Sequence, residues 1–114
     1  MANEVKKQAM DVESILKINS PSDRLGGPVD LVCRNETEGW AIVAVYWDNY
    51  PTLGIRWFLG TYGTPVSYNH PQWFIIPDGL HQAILNQVPI SVKKKQSVIE
   101  FLNSEPLKKE ESKQ

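Results

Sequence analysis

The spacing of apolar residues along the chain changes from a helical to an extended period and back again. Between Asn3 and Lys17, Val5, Ala9, Val12 and Leu16 recur every three or four positions, with Ile15 beside them. One apolar stripe on a 3.6-residue period predicts a helix, with Asn3 as N-cap and a stop before Ser20-Pro21. Asn19 to Pro28 is rich in Ser, Pro and Gly and reads as a loop. From Val29 the period falls to two. Val29, Leu31 and Cys33 alternate with Asp30, Val32 and Arg34 as a first strand. Asn35 to Gly39 is a turn in which Gly39 suits a positive φ. Trp40 to Asp48 is a continuous run of β-branched and aromatic residues, the second strand. Asn49-Tyr50-Pro51-Thr52 reads as the next turn and Leu53 to Gly60 as the third strand. Connections this short favour antiparallel neighbours.

Beyond the loop Thr61 to Pro71, which has room for a short strand around Val66 to Tyr68, Gln72 to Ile76 is a fourth strand. Asp78 is placed to cap a helix whose inner stripe is Leu80, Ile84 and Val88, with Leu85 adjacent, and which Pro89 ends. Residues 88–93 are ambiguous. Val88, Ile90 and Val92 alternate like an edge strand, whereas Ser91 suits an N-cap. The favoured reading is extended chain to Val92 and helix from about Lys94 to Asn103. From Ser104 the sequence SEPLKKEESKQ holds a single apolar residue and is expected to be a disordered charged tail. The fold class is therefore α+β, with one domain over residues 1–103. It comprises an N-terminal helix, an antiparallel meander of about four strands, and one or two C-terminal helices.

The two sheet faces raise a question that the helices do not answer. If a four-residue turn pairs Asp48 with Leu53, Trp47 lies opposite Gly54 and Trp57 opposite Ala44, large against small. One face then carries Ile42, Ala44, Tyr46, Ile55, Trp57 and Leu59, and the other Val43, Val45, Trp47, Arg56 and Phe58. Both are apolar, whereas antiparallel sheets commonly keep one face wet. Either the chain's own helices and long loop cover both faces, or a partner subunit, a curled sheet or a ligand covers the second. This excess of apolar surface is the main reason to expect a binding or dimer surface.

Charge sharpens that picture. Twelve Lys and Arg face thirteen Asp and Glu over 114 residues, for a net charge of −1. This gives no bulk attraction to nucleic acid or anionic membrane. Between Gly39 and Pro77 the only charged side chains are Asp48 and Arg56, in a stretch that holds all four tryptophans and all four tyrosines. The N-terminus lacks the apolar core of a signal peptide, and no run approaches the roughly 20 apolar residues of a membrane span. The single cysteine, Cys33, forms no intramolecular disulfide, which suits a reducing compartment, and a cytoplasmic location is expected.

Candidate chemistry is sparse. Two histidines and one cysteine, without C-x-x-C or H-x-x-x-H spacing, point away from a metal site, and no cofactor motif is present. His70, in Tyr68-Asn69-His70-Pro71, is a candidate base or ligand contact. His81 is expected to cap its helix or face solvent. Arg56, if it lines a pocket, suits a carboxylate or phosphate. Trp47, Tyr50, Trp57, Tyr62, Tyr68 and Trp73 are candidates for a stacking surface. The favoured expectation is a non-catalytic binding or interaction domain that forms a homodimer through an apolar sheet face or takes a small-molecule or protein partner. The alternatives are a small metal-independent enzyme using His70, Asp48, Arg56 and tyrosines, and single-stranded nucleic-acid binding by the aromatic sheet.

Overall fold

The computed structural model describes residues 11–59, 63–67 and 70–107 of the chain, and it is α+β. Helix α1 (Val12–Leu16) starts at Asp11, whose carboxylate accepts from the Ser14 amide at 2.8 Å. That bond holds the Asp11 carboxyl below its ordinary range. The predicted N-cap Asn3 and the first turns of the expected helix lie outside the described residues.

Four strands form one antiparallel sheet in the order β1-β2-β3-β6: β1 (Leu25–Asn35), β2 (Trp40–Trp47), β3 (Tyr50–Trp57) and β6 (Phe74–Ile76). Between the third and fourth of these, β4 (Val66–Ser67) and β5 (His70–Pro71) pair antiparallel as a small sheet of their own. A 3₁₀ turn (Asp78–Leu80) leads into α2 (His81–Gln87), and α3 (Val92–Leu102) follows. None of the described helices is long and apolar enough to cross a membrane.

The β2–β3 turn differs from expectation. It is two residues, Asp48 and Asn49, both at positive φ (52° and 75°), closed by Trp47 opposite Tyr50. Two-residue hairpins take this conformation because its twist matches the strands, and Asp and Asn tolerate it better than other side-chain-bearing residues. Pro51 therefore sits inside β3 and not in the turn. Ala44 faces Leu53, Gly54 faces Val43, and Trp57 faces Trp40. The displacement from the expected register moves every pairing by an even number of positions, so each side chain keeps its expected face.

The chain itself covers most of both apolar faces, leaving Trp57 and Phe74 exposed at one corner. On one face Ala41, Val43 and Val45 pack with Ile15 and Ile18 from α1 and its exit, and with Leu25, Phe58 and Trp73. Trp73 lies against Gly54, where an added Cβ would stand 3.4 Å from the ring, so the residue without a side chain makes room for the indole. On the other face Val32, Ile42, Ala44, Leu53 and Ile76 pack under Leu85 and Val98, with Ile84, Val88, Ile99, Phe101 and Leu102 around them. Each fully buried aliphatic side chain here contributes about 1.5–3 kcal/mol.

The C-terminal elements correct two details. The side chain of Ser91 caps α3 by accepting from the Lys94 amide at 3.0 Å, so residues 92 and 93 are helical and not extended. Helix α2 buries His81 and Leu85, while Leu80 is 51% exposed. The 3₁₀ turn precedes the α-helix and shifts the phase of its inner face by one residue. After α3 the chain turns back, and the Leu107 amide donates to the Asn49 carbonyl at 2.7 Å, setting Ser104 to Leu107 beside the β2–β3 hairpin.

Candidate functional site

Structure separates the residues that sequence grouped together. Arg56 is 1% exposed. Its Nε donates to the Trp57 carbonyl at 3.2 Å, and one terminal nitrogen donates to the carbonyls of Pro65 and Gln72. Its guanidinium stands 5.9 Å from the Trp73 ring. Burial pushes its pKa down to about 10, which still leaves it charged at neutral pH. Arg56 thus fastens Pro65 and Gln72 to β3, its guanidinium spent on backbone carbonyls.

Trp73 is 5% exposed and donates from Nε1 to the Ile18 carbonyl at 3.0 Å, a core role and not a stacking surface. His70 faces a small cleft of about 190 Å³ with α1 residues such as Ser14 and Lys17. Among the described residues no carboxylate or tyrosine lines that cleft. Asp48 lies at the β2–β3 turn, bound by both Nε and a terminal nitrogen of Arg24 at 3.0 and 2.6 Å. The same guanidinium stacks 4.7 Å over Trp47. Tyr62 and Tyr68 lie outside the described residues. His70 and Asp48 line different cavities, His70 the cleft beside α1 and Asp48 one beside Trp47 and Tyr50, and among the described residues no three His, Cys, Asp or Glu side chains converge as metal ligands would.

What the fold does expose is the end of the sheet at β6. The two outer strands differ sharply. Strand β1 carries the features that protect an edge: two register irregularities, Pro28, and the charges of Asp30 and Arg34, with Lys94 reaching across to Asp30. Strand β6 is Phe74-Ile75-Ile76, uncharged and regular, and among the described residues it pairs on one side only. Its ladder to β3 sets Leu53 opposite Ile76, Gly54 opposite Ile75 and Ile55 opposite Phe74. Trp57 exchanges both backbone bonds with Thr64, at 2.8 and 3.2 Å, so Leu53, Ile55 and Trp57 aim their backbone groups away from β2. It follows that Phe74 and Ile76 spend their amides and carbonyls on β3. The N–H and C=O of Ile75 point to the open edge.

Side chains lock this strand at both ends. Arg56 takes the Gln72 carbonyl and Trp73 anchors to Ile18 before the strand begins. At its far end the His81 Nε2 lies 2.9 Å from the Ile76 carbonyl oxygen. A carbonyl only accepts, so Nε2 carries the proton in that bond, and the Thr52 hydroxyl stands 3.2 Å from the same nitrogen. His81, expected at the surface, is a buried clamp. The signal for it was its place three and four residues before Ile84 and Leu85, on the same helical stripe.

Two surfaces adjoin the open edge. Phe74, 61% exposed, and Trp57, 47% exposed, share one face on either side of the Ile55 position. Beyond Ile76, where β6 has ended and β3 continues through Tyr50 to Thr52, lies a cleft of about 560 Å³. Its walls include Trp47, Tyr50, Ile75, Pro77, Leu102 and Pro106. Of the sequence candidates, Trp47 and Tyr50 meet in this cleft and Trp57 flanks the edge. The chain matches no protein-family profile, no curated protein and no solved structure.

Proposed function

We propose that this chain is a non-catalytic interaction domain that binds an extended polypeptide segment as an added strand along β6. The observation that carries this reading is the contrast between the two sheet edges: β1 is blunted by bulges, proline and charge, while β6 presents an uncharged, regular strand whose Ile75 amide and carbonyl have no partner among the described residues. In strand addition, main-chain bonds supply affinity, and pockets for alternate side chains supply specificity. Here Phe74 and Trp57 offer the apolar flank, and the Trp47–Tyr50 cleft receives side chains that run on past Ile76. Excess apolar surface motivates the interaction reading as it did in the sequence, but the surface concerned is an edge and a corner, the broad faces being covered from within.

Hydrogen exchange on dilute protein tests the premise. The Ile75 amide is expected to exchange at least about tenfold faster than those of Phe74 and Ile76, whose bonds go to β3. An Ile75 amide as protected as its neighbours in the isolated monomer would mean that the edge is already covered within the chain, and the reading would fall.

A further inference from the structure

We infer that the segment added to β6 is β6 of a second copy, in an antiparallel pair whose two-fold axis passes beside Ile75. This rests on the edge-pairing reading above and names its partner. Ile75 is the residue of β6 whose N–H and C=O both face outward. Set opposite itself, it exchanges both bonds with its counterpart, the doubly bonded pair of an antiparallel ladder. One residue thus satisfies the whole unspent edge of both copies.

The same register settles the neighbours. Phe74 falls opposite Ile76 of the second copy, so the exposed ring of Phe74 is brought against an aliphatic side chain on its own face, with Trp57 flanking it. Continuing outward, Asp78 falls opposite Gln72. The Asp78 side chain is 95% exposed, and in this arrangement it meets an amide donor and not its own copy. No like charges face each other across the axis, and a net charge of −1 per copy gives little long-range repulsion. The contact is isologous, so it closes at two copies. The blunted β1 edges become the two ends of an eight-stranded sheet, which stops further growth. A three-residue strand and one aromatic corner place the interface at the small end of the range for weak, reversible complexes.

Sedimentation equilibrium on the full chain from about 10 µM to about 1 mM covers the range for weak association. The weight-average mass is expected to rise with concentration towards twice the monomer value. Phe74→Lys leaves a side chain that is already exposed and adds a charge at the axis. Ile75→Pro removes the outward N–H without touching a β3 bond. Both variants should stay monomeric across the range, with an unchanged far-ultraviolet spectrum showing that they fold. A wild-type chain that stays monomeric throughout, or a dimer that both folded variants still form, overturns the inference. The two readings fail separately: a monomer with a freely exchanging Ile75 amide removes the second copy and leaves the edge open to another polypeptide, whereas a monomer with a protected Ile75 amide removes both.

Discussion

Replacing Arg56 with methionine keeps the length of the side chain and removes its charge and its donors. The structure sets the size of the effect. The bonds to the Trp57, Pro65 and Gln72 carbonyls disappear, each worth about 1.5–3 kcal/mol because the donor is charged. Against this, removing the guanidinium also relieves the cost of burying its charge, the cost that pushes its pKa down to about 10. Two of the three carbonyls keep backbone donors: Trp57 accepts from Thr64 and Pro65 from Gln72. The balance is a loss of about 3 kcal/mol. In a urea titration with a slope of about 1.5 kcal/mol per molar, the midpoint should fall by about 2 M. Arg56→Lys retains the charge but offers one ammonium where a planar fork reaches three carbonyls, and it should lose most of the same stability. The local readout is faster exchange of the Phe74 amide, because Gln72 is no longer tied to β3. A methionine variant with an unchanged midpoint would refute the assignment of Arg56 as the fastener of Pro65 and Gln72.

Other substitutions test separate parts of the account. Gly63→Ala should cost more than about 3 kcal/mol by thermal or urea unfolding, because φ is +65° and the new Cβ would stand 2.1 Å from the Trp57 carbonyl oxygen. Ser91→Ala should cost about 1 kcal/mol by the same measurement, through loss of the α3 cap. The Cys33 thiol is half-buried, and burial pushes its pKa up. Labelling by iodoacetamide should therefore be slower than for a free thiol at pH 8 and should speed up as pH rises, since only the thiolate reacts.

The sequence made the elements legible and left their arrangement open, for reasons particular residues show. The continuous β-branched and aromatic run from Trp40 to Asp48 and its partner identified the central hairpin. Its face assignment survived a wrong turn because the register error was even. Pro51 drew the turn two residues too late: proline suits turns, but positive φ at Asp48 and Asn49 is a backbone choice that tertiary context makes among residues that merely tolerate it. Trp73 looked like a ligand contact because nothing in the local sequence says that Gly54, nineteen positions earlier, leaves a hole of its shape. Arg56, a lone cation among aromatics, reads equally as a pocket or as a fastener until the carbonyls around it are placed. His81 was hidden by one 3₁₀ turn that shifted the helical phase. Alternation shows which faces of a strand are apolar, but it does not show which strand is last in the sheet. That last property, strand order, is what directs attention from the faces to β6.

The central claim is that β6 pairs along its open edge about Ile75, and an isotope-filtered NMR experiment on a mixture of labelled and unlabelled chain examines that pairing directly. In the proposed register Phe74 and Ile76 of opposite copies form a non-hydrogen-bonded pair with Cα atoms about 4.5 Å apart. A strong intermolecular contact between the Phe74 Hα of one copy and the Ile76 Hα of the other is the expected result. Intermolecular contacts that arise only from other surfaces, with β6 unchanged at millimolar concentration, would contradict it.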